Sequence, residues 1–506
     1  MNEKISLMNK FYIIVFLAGL ILFVLNSLNY YSFNMGGEIS IFEESLHTTM
    51  NGFFLQVKFT DGLWWGFHFF PFIIFLFPFY YLFESSYTLI FLQAVFLAVG
   101  AIPLFKLANL KLQSEKYAFI VSIIYLLSPL IFYLNLEEVH SLVFVIPLLL
   151  FAILFLEEGR IKWFITFIIL SLMIEETVFL VVIPFSIYIM LKKNKKLGLS
   201  LFLYSTIFFI IILFLLIPAF REKGKFINNF TADENLDKQE SYVFFSRFSY
   251  LGNTPEEIVK NLLSKPYLIN ENVGFGKIVI YFIDYFKFFL FIPLLSSSIF
   301  VIVPAMFVNA ISMEGLQRCV FSHHHSTFIP ILFYGFILGL LRIKKHINKK
   351  FNLIMKLFLF FSILLFINFT LRPIFLNERP NVYGCDIRGQ DFSVAHLEKF
   401  SDYKKLHAFI DRIPKGSTVK SSLTFTPYFV KENGGWFHQS KDWTWSSDYI
   451  FFDKRDLEFT PSNYSTRKYI DVEELFDRIK ESGYKLELQT STAFVFKSSS
   501  RPFDNN

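Results

Sequence analysis

The sequence predicts an α-helical polytopic membrane protein with about 11 transmembrane helices and a small C-terminal α/β domain outside the bilayer. Three observations carry this. Of 506 residues, 54% are hydrophobic and 20% aromatic while only 18% are charged, which excludes an ordinary soluble domain. Apolar runs of roughly 15 to 22 residues recur from Phe11 to Leu371, close to the ~20 that cross ~30 Å of hydrocarbon as a helix. After Arg372 and Pro373 the hydropathy collapses and the composition turns globular.

In chain order, the first run, near 11–30, ends in Asn26, Ser27, Leu28, Asn29, Tyr30 and Tyr31, with no small-x-small cleavage site, and reads as a retained anchor. Further spans fall near 87–105, 117–134, 140–156, 163–173, 177–191, 198–218, 277–293, 295–311, 327–343 and 351–371. The piece from His68 to Phe83 is short and holds Pro71 and Pro78, so it reads as juxtamembrane or re-entrant. With that piece left out, Lys4 and Lys10, then Lys106, Lys111 and Lys116, then Lys192, Lys193, Lys195 and Lys196, and finally RIKKHINKK at 342–350 all share one side. Cytoplasmic loops hold the positive excess, so the N-terminus is expected inside and the C-terminus outside a bacterial plasma (inner) membrane. This divides the chain into a transmembrane part, 1–372, with a first outer loop at 31–86 and a long one at 220–276, and an extracytoplasmic part, 373–506. In the second part, 402–412 and 472–482 read as helices, the latter ending at Gly483. Segments 418–422 and 448–453 read as strands, 485–489 with 493–497 as a hairpin, and Gly434-Gly435 as a turn before the aromatic cluster WFHQSKDWTW. Cys319 and Cys385 lie far apart and suggest neither a disulfide framework nor a metal knuckle.

On this topology GGEISIFEESLH (36–47), LEEVH (136–140), IEET (174–177) and SHHHS (322–326) all lie on the outer side. A carboxylate at membrane depth is costly unless it lines a polar cavity, so Glu175 and Glu176 mark a site; the alternative is a polar turn between two helices. Segment 36–47 alternatively forms an interfacial amphipathic helix, burying Ile39, Phe42 and Leu46 and keeping Glu38, Glu43 and Glu44 wet. Consecutive histidines His323, His324 and His325 cannot all face one ion from regular structure, so no metal site is assigned. There is no Gly-rich phosphate loop, zinc spacing or GxSxG elbow, and nucleic acid is not an expected partner.

In order and spacing, GEISIFEES (37–45), GFHFFP (66–71), EEVHS (137–141), IEET, IPAF (217–220) and YLGNTPEEI (250–258) resemble the motifs of a bacterial membrane family, domain-of-unknown-function 2079. That family is similar to the GT-C glycosyltransferases, multi-spanning enzymes that take sugars from polyprenyl-phosphate carriers on the outer face and place an acid of the first outer loop at the catalytic centre. The resemblance implies catalytic roles for Glu38, Glu43, Glu138, His140, Glu175 and Glu176, and substrate binding by His68. Departures from the pattern are Glu for Asp at Glu38, Glu138 and Glu176, Ser40 for Gly, Ser141 for Pro, and Ile174 for a Lys, which removes one cation.

Such a transfer needs a carboxylate to take the acceptor's proton as its oxygen attacks C1, inverting the anomeric centre in one displacement. Glu38 is the first expectation for this base. The departing phosphate needs positive charge, from Arg221, Arg247, Arg318 or Arg372, or from a divalent metal; the sequence names no cofactor beyond that. The expected partners are the bilayer and a polyprenyl-phosphate sugar donor. Two other classes stay open: a transporter or flippase of a lipid-linked or small anionic substrate, suggested by intramembrane acids and Pro-broken helices, and an inactive envelope scaffold.

Overall fold

Hydrocarbon offers no water to satisfy peptide groups, so apolar runs have the helix as their one local solution. In the computed structural model, which describes residues 7–57, 62–221, 247–376, 393–431, 433–436, 447–455 and 472–499, helices are what they form. Five helical stretches among these residues are long and apolar enough to cross a membrane: Leu7–Tyr31, Ser86–Leu112, Glu115–Glu137, Lys195–Phe220 and Asn348–Leu376. Helix Ile329–His346 has the length but carries Arg342, Lys344 and Lys345 near its end.

The helices used below are α1 (Leu7–Tyr31), α2 (Gly37–Met50), α3 (Ile73–Leu82), α4 (Ser86–Val99), α5 (Ala101–Leu112), α6 (Glu115–Leu126), α7 (Pro129–Glu137), α8 (Val145–Glu157), α9 (Ile161–Leu172), α10 (Phe179–Lys192) and α11 (Lys195–Ile211). Helix α1 packs on α4, α5 on α6 and α8, α8 on α9, and α10 on α11. The region expected as spans 277–293 and 295–311 is broken instead. Helix Phe275–Lys287 gives way at Leu290 and Phe291, both left-handed (φ 46° and 58°), to the 3-10 turns Ile292–Leu295 and Ser297–Val301. Pro293 and Pro304 lack the N–H that a continuous helix would need there. This broken segment lies against Ile329–His346, where Gly339 lets it in: a Cβ would stand 2.4 Å from the Ile292 carbonyl oxygen.

At one end of the bundle the basic clusters converge. The Glu157 carboxylate, closing α8, accepts from Lys193 at 2.7 Å and also from Lys111 and Tyr334, while Lys344 donates to the Leu112 carbonyl at 2.6 Å. At the other end lies α2, and it is not the half-wet interfacial helix its spacing suggests. Residues from Ile39 to Leu46 are all buried, Glu43 at 2% exposure and Glu44 at 6%, because α3 and α4 cover one face and the C-terminal part covers another through residues 423–428.

Besides the two-residue pair β1 (Gln56–Val57) and β2 (Gly62–Leu63), the strands form one five-stranded sheet in the order β4-β3-β5-β7-β6. Strand β3 (Thr418–Ser421) runs parallel to β4 (Asn433–Trp436) and to β5 (Tyr449–Asp453), which pairs antiparallel with β7 (Ala493–Ser498); β6 (Tyr484–Gln489) closes the edge. Strand β5 is buried at every position, as a central strand covered on both faces must be. Gly434 and Gly435 therefore sit in an edge strand rather than a turn; the rest of the aromatic cluster lies outside the described residues. Helix Val472–Glu481 stops before Gly483, whose φ of 85° suits the expected C-terminal stop. One cysteine reading is corrected: Cys319 is disulfide-bonded. The chain's other cysteine, Cys385, lies outside the described residues.

Candidate active site

Helix ends leave backbone groups unpaired. At the end of the bundle away from Glu157, buried acids pair several of them. Helix α2 begins after Gly36, which has no side chain to cap it. Glu138 supplies the cap from the α7 side, its carboxylate accepting the backbone N–H of Gly36 at 3.2 Å, Glu38 at 2.7 Å and Ile39 at 3.4 Å. Gln93 of α4 fixes the chain around that acid, donating to the Glu138 carbonyl at 2.7 Å and accepting the His140 N–H at 3.0 Å. Glu137, the last residue of α7, accepts the His323 backbone N–H at 2.6 Å and pairs with its Nδ1 at 2.8 Å. The His140 ring stacks on His323 with centroids 3.3 Å apart.

The second group forms between α9 and α10. Glu175 is extended and Glu176 opens the 3-10 turn Glu176–Val178. Glu176 accepts the Phe69 backbone N–H at 3.1 Å and pairs with His68 Nδ1 at 2.8 Å. Glu175 accepts from Ser141 Oγ at 2.7 Å and Thr177 Oγ1 at 2.9 Å, and lies 3.5 Å from His68. Gly66 lets the segment bearing His68 press on the 220–221 backbone, since a Cβ there would meet the Phe220 carbonyl oxygen at 2.9 Å.

Glu38 stands within the field of both groups. Burial raises its pKa; His323 and His68 pull it down, and Glu175 and Glu137 push it up, with an upward result. Among the described residues no group hydrogen-bonds its carboxylate. Burial and the neighbouring Glu38 raise Glu138 to about 7 against the pull of the three backbone N–H groups. Burial alone would lower His68, but Glu175 and Glu176 outweigh it and carry it to about 9. Burial, with His323 and His68 nearby, holds the His140 pKa well below the usual imidazole range, whereas Glu137 overcomes the burial of His323 and raises it.

Ligand atoms of Glu137, His140 and His323 lie within 4.8 Å of one another, as do those of His68, Glu175 and Glu176. The first group, with a neutral imidazole and a carboxylate, has the mixed donors that divalent first-row cations take. In the second, His68 Nδ1 stands 2.8 Å from Glu176 and 3.5 Å from Glu175.

A family model described as "Predicted membrane protein (DUF2079)" matches residues 24–492. The chain belongs to the DUF2079 family. Among solved structures, the DUF2079 chain is similar to ArnT from Cupriavidus metallidurans, crystallised bound to undecaprenyl phosphate, with a TM-score of 0.51 and 10% sequence identity over 95% of this chain and 98% of that one. At that identity the likeness speaks for the fold, which is GT-C-like. No curated protein matches the chain by sequence.

Within this DUF2079 fold Glu38, Glu138, His140, His68, Glu175 and Glu176 are brought together. Glu43 is not. Five positions beyond Glu38 on a helix of 3.6 residues per turn it faces another way, toward Tyr80 at 3.1 Å, Ser86, and Lys431 at 3.5 Å. Arg318 is buried and donates to the Ser312 carbonyl, Arg247 acts on His324 through its charge, and Arg221 reaches the Gly66 carbonyl at 3.3 Å. Glu137, which the sequence left between a solvated loop and a site, joins the site, and so does His323, which was not expected there. The tandem acids and the histidine run were their signals, but only His323 of the three turns to Glu137, His325 pairing instead with Tyr281 at 3.0 Å.

Proposed function

We propose that the protein is an inverting GT-C-type glycosyltransferase that moves a sugar from a polyprenyl-phosphate-linked donor to an acceptor on the extracytoplasmic face of the membrane. The observation that carries this reading is the state of Glu38. Its neighbouring acids spend their oxygens on backbone N–H groups, hydroxyls and imidazoles, whereas its own carboxylate is half-buried and uncommitted among the described residues.

In this reading Glu38 takes the proton of the acceptor hydroxyl as that oxygen bonds to C1 of the sugar. The bond from C1 to the phosphate oxygen breaks, its electron pair leaving with the phosphate, and the anomeric centre inverts. Burial raises the Glu38 pKa, which makes it a stronger base than an exposed carboxylate. Glu138 holds the first turn of α2, and so Glu38, in place. The His68 cation and the Arg247 and Arg318 guanidiniums give the phosphate its positive surroundings. A divalent cation held by Glu137, His140 and His323 would add charge neutralisation at the same place.

Three observations support the orientation and the donor class. The basic clusters gather at the opposite end, a disulfide at Cys319 suits an oxidising compartment, and the fold is shared with a protein crystallised on undecaprenyl phosphate. The test is glycan profiling of a deletion strain complemented with wild type or Glu38→Gln. A glycan restored by wild type and absent with Glu38→Gln at equal protein level supports transfer; equal restoration by both removes Glu38 as base and this reading with it.

A further inference from the structure

The segment from the end of α1 to the start of α2, residues 32–36, carries Glu38 into the site, and its conformation is held from outside the helical bundle. At the end of helix α1, side chains of the C-terminal part take up two carbonyls: Tyr428 Oη donates to the Tyr30 carbonyl at 2.6 Å, which also accepts the Phe33 N–H at 3.0 Å, and the His407 ring donates to the Tyr31 carbonyl at 2.9 Å. Phe33 is left-handed at φ 54°, a conformation that costs a side chain bearing a Cβ. Its ring is 1% exposed and sits in the core beside the sheet, 4.5 Å from the His407 ring, 4.9 Å from Phe425 and 4.7 Å from Tyr428.

One guanidinium joins sheet to segment. Arg455, just past β5, grips the buried Asp453 carboxylate at 2.7 Å and 3.0 Å, and donates to the Phe33 carbonyl at 2.5 Å and to Asn34 Oδ1 at 2.8 Å. The Asn34 amide passes the link inward, donating to Asn29 Oδ1 at 2.9 Å, and Asn29 donates to the Leu136 carbonyl at 2.9 Å, two residues before Glu138. The Glu138 carboxylate then closes the path by capping the first turn of α2.

We infer that the C-terminal sheet is a clamp on this segment, with Arg455 and Asn34 as positioning residues that act through the first turn of α2 on Glu38. The segment is fixed at both ends by groups remote in sequence, the sheet on one side and Glu138 on the other, so releasing either lets the turn drift. The existence of the clamp rests on geometry alone; its consequence for transfer rests on the proposed role of Glu38.

The test is hydrogen–deuterium exchange on the full-length protein in lipid nanodiscs, followed at the backbone amides of residues 36–39. Asn34→Ala is the primary variant, because it cuts the Asn34 arm of the link while leaving the Asp453–Arg455 pair and the Arg455 bond to the Phe33 carbonyl intact; Arg455→Gln, which removes both arms, is the second. Exchange at 36–39 is expected to quicken about tenfold in Asn34→Ala, the loss of roughly one hydrogen bond's worth of protection, with β3, β5 and β7 as protected as in wild type. Unchanged exchange at 36–39 in both Asn34→Ala and Arg455→Gln would overturn the clamp. In the glycan assay Asn34→Ala should lower product about 100-fold at unchanged protein level, as a misplaced catalytic group does. If Glu38→Gln leaves the glycan intact, the transferase reading falls and the exchange result still decides the clamp.

Discussion

At the scale of single residues, the division of labour among buried carboxylates separates Glu38 from its neighbours. A carboxylate that accepts several donors is held in place and is a poorer base; one that is buried without them has a raised pKa and takes a proton more readily. Replacing Glu38 by Gln keeps shape and burial but removes the base, so product formation should drop by about 100-fold or more while donor lipid still binds, checked by glycan analysis beside a lipid-binding measurement. His68 makes a second prediction. Its pKa rises from an ordinary 6.5 to about 9 on folding, so its stabilisation is complete below pH 6.5 and is lost as pH climbs to about 9. Melting temperature in nanodiscs should therefore fall more across that interval for wild type than for His68→Gln. Parallel pH curves would remove His68 as the cation between Glu175 and Glu176.

At the scale of elements, what matters is how helix ends and junctions meet. Gly66 is a contact point, its α-carbon facing the Phe220 carbonyl oxygen and the Arg221 backbone. Gly66→Ala must push that backbone away or displace the segment bearing His68, at about 1–3 kcal/mol; a lower melting point with weakened product formation is the expected outcome, and an unchanged melting point would mean that the neighbouring backbone gives way freely. At the opposite end, Glu157→Ala leaves Lys111 and Lys193 facing each other beside Tyr334. The lysines keep 19% and 29% exposure, so the cost should be about 2 kcal/mol, below that of a fully buried pair, and thermal unfolding in detergent measures it. That change should leave the His68 pH dependence untouched, since it acts at the other end of the bundle.

At the scale of the whole molecule, the C-terminal sheet and the helical bundle share a core residue. Phe33 belongs to the bundle by sequence and to the sheet by packing. Phe33→Ala should cost about 3 kcal/mol at that junction and make the chain after residue 376 more open to protease, read by limited proteolysis in nanodiscs. Cleavage at the wild-type rate would show that the polar contacts of Tyr428, His407 and Arg455 hold the junction without it.

Much of the fold was legible in the sequence because its causes are local. Apolar run length decides that a segment is a helix in lipid, the grouping of lysines tells one end of the bundle from the other, and alternation with Gly483 marks the late strands and the helix stop. The motifs around Glu38, His68, Glu138 and Glu175 likewise pointed to one place. The burial of α2 was not legible, because its period matches an interfacial helix and only the packing of α3, α4 and residues 423–428 against it removes the wet face. Nor was the break after Phe275–Lys287, where two prolines interrupt an apolar run that hydropathy alone reads as continuous.

The sequence by itself determined that this is a multi-spanning helical protein with a sheet-bearing C-terminal part and acids at its helix junctions, since composition and periodicity act within a few residues. Only the tertiary structure decided which acid is uncommitted, that Glu43 turns to Lys431 while Glu137 turns to His323, and that Arg455 reaches Asn34. The reason is physical. A buried carboxylate's behaviour is set by the donors around it, and here those donors come from chain segments far away in sequence, brought close only by the packing of the whole.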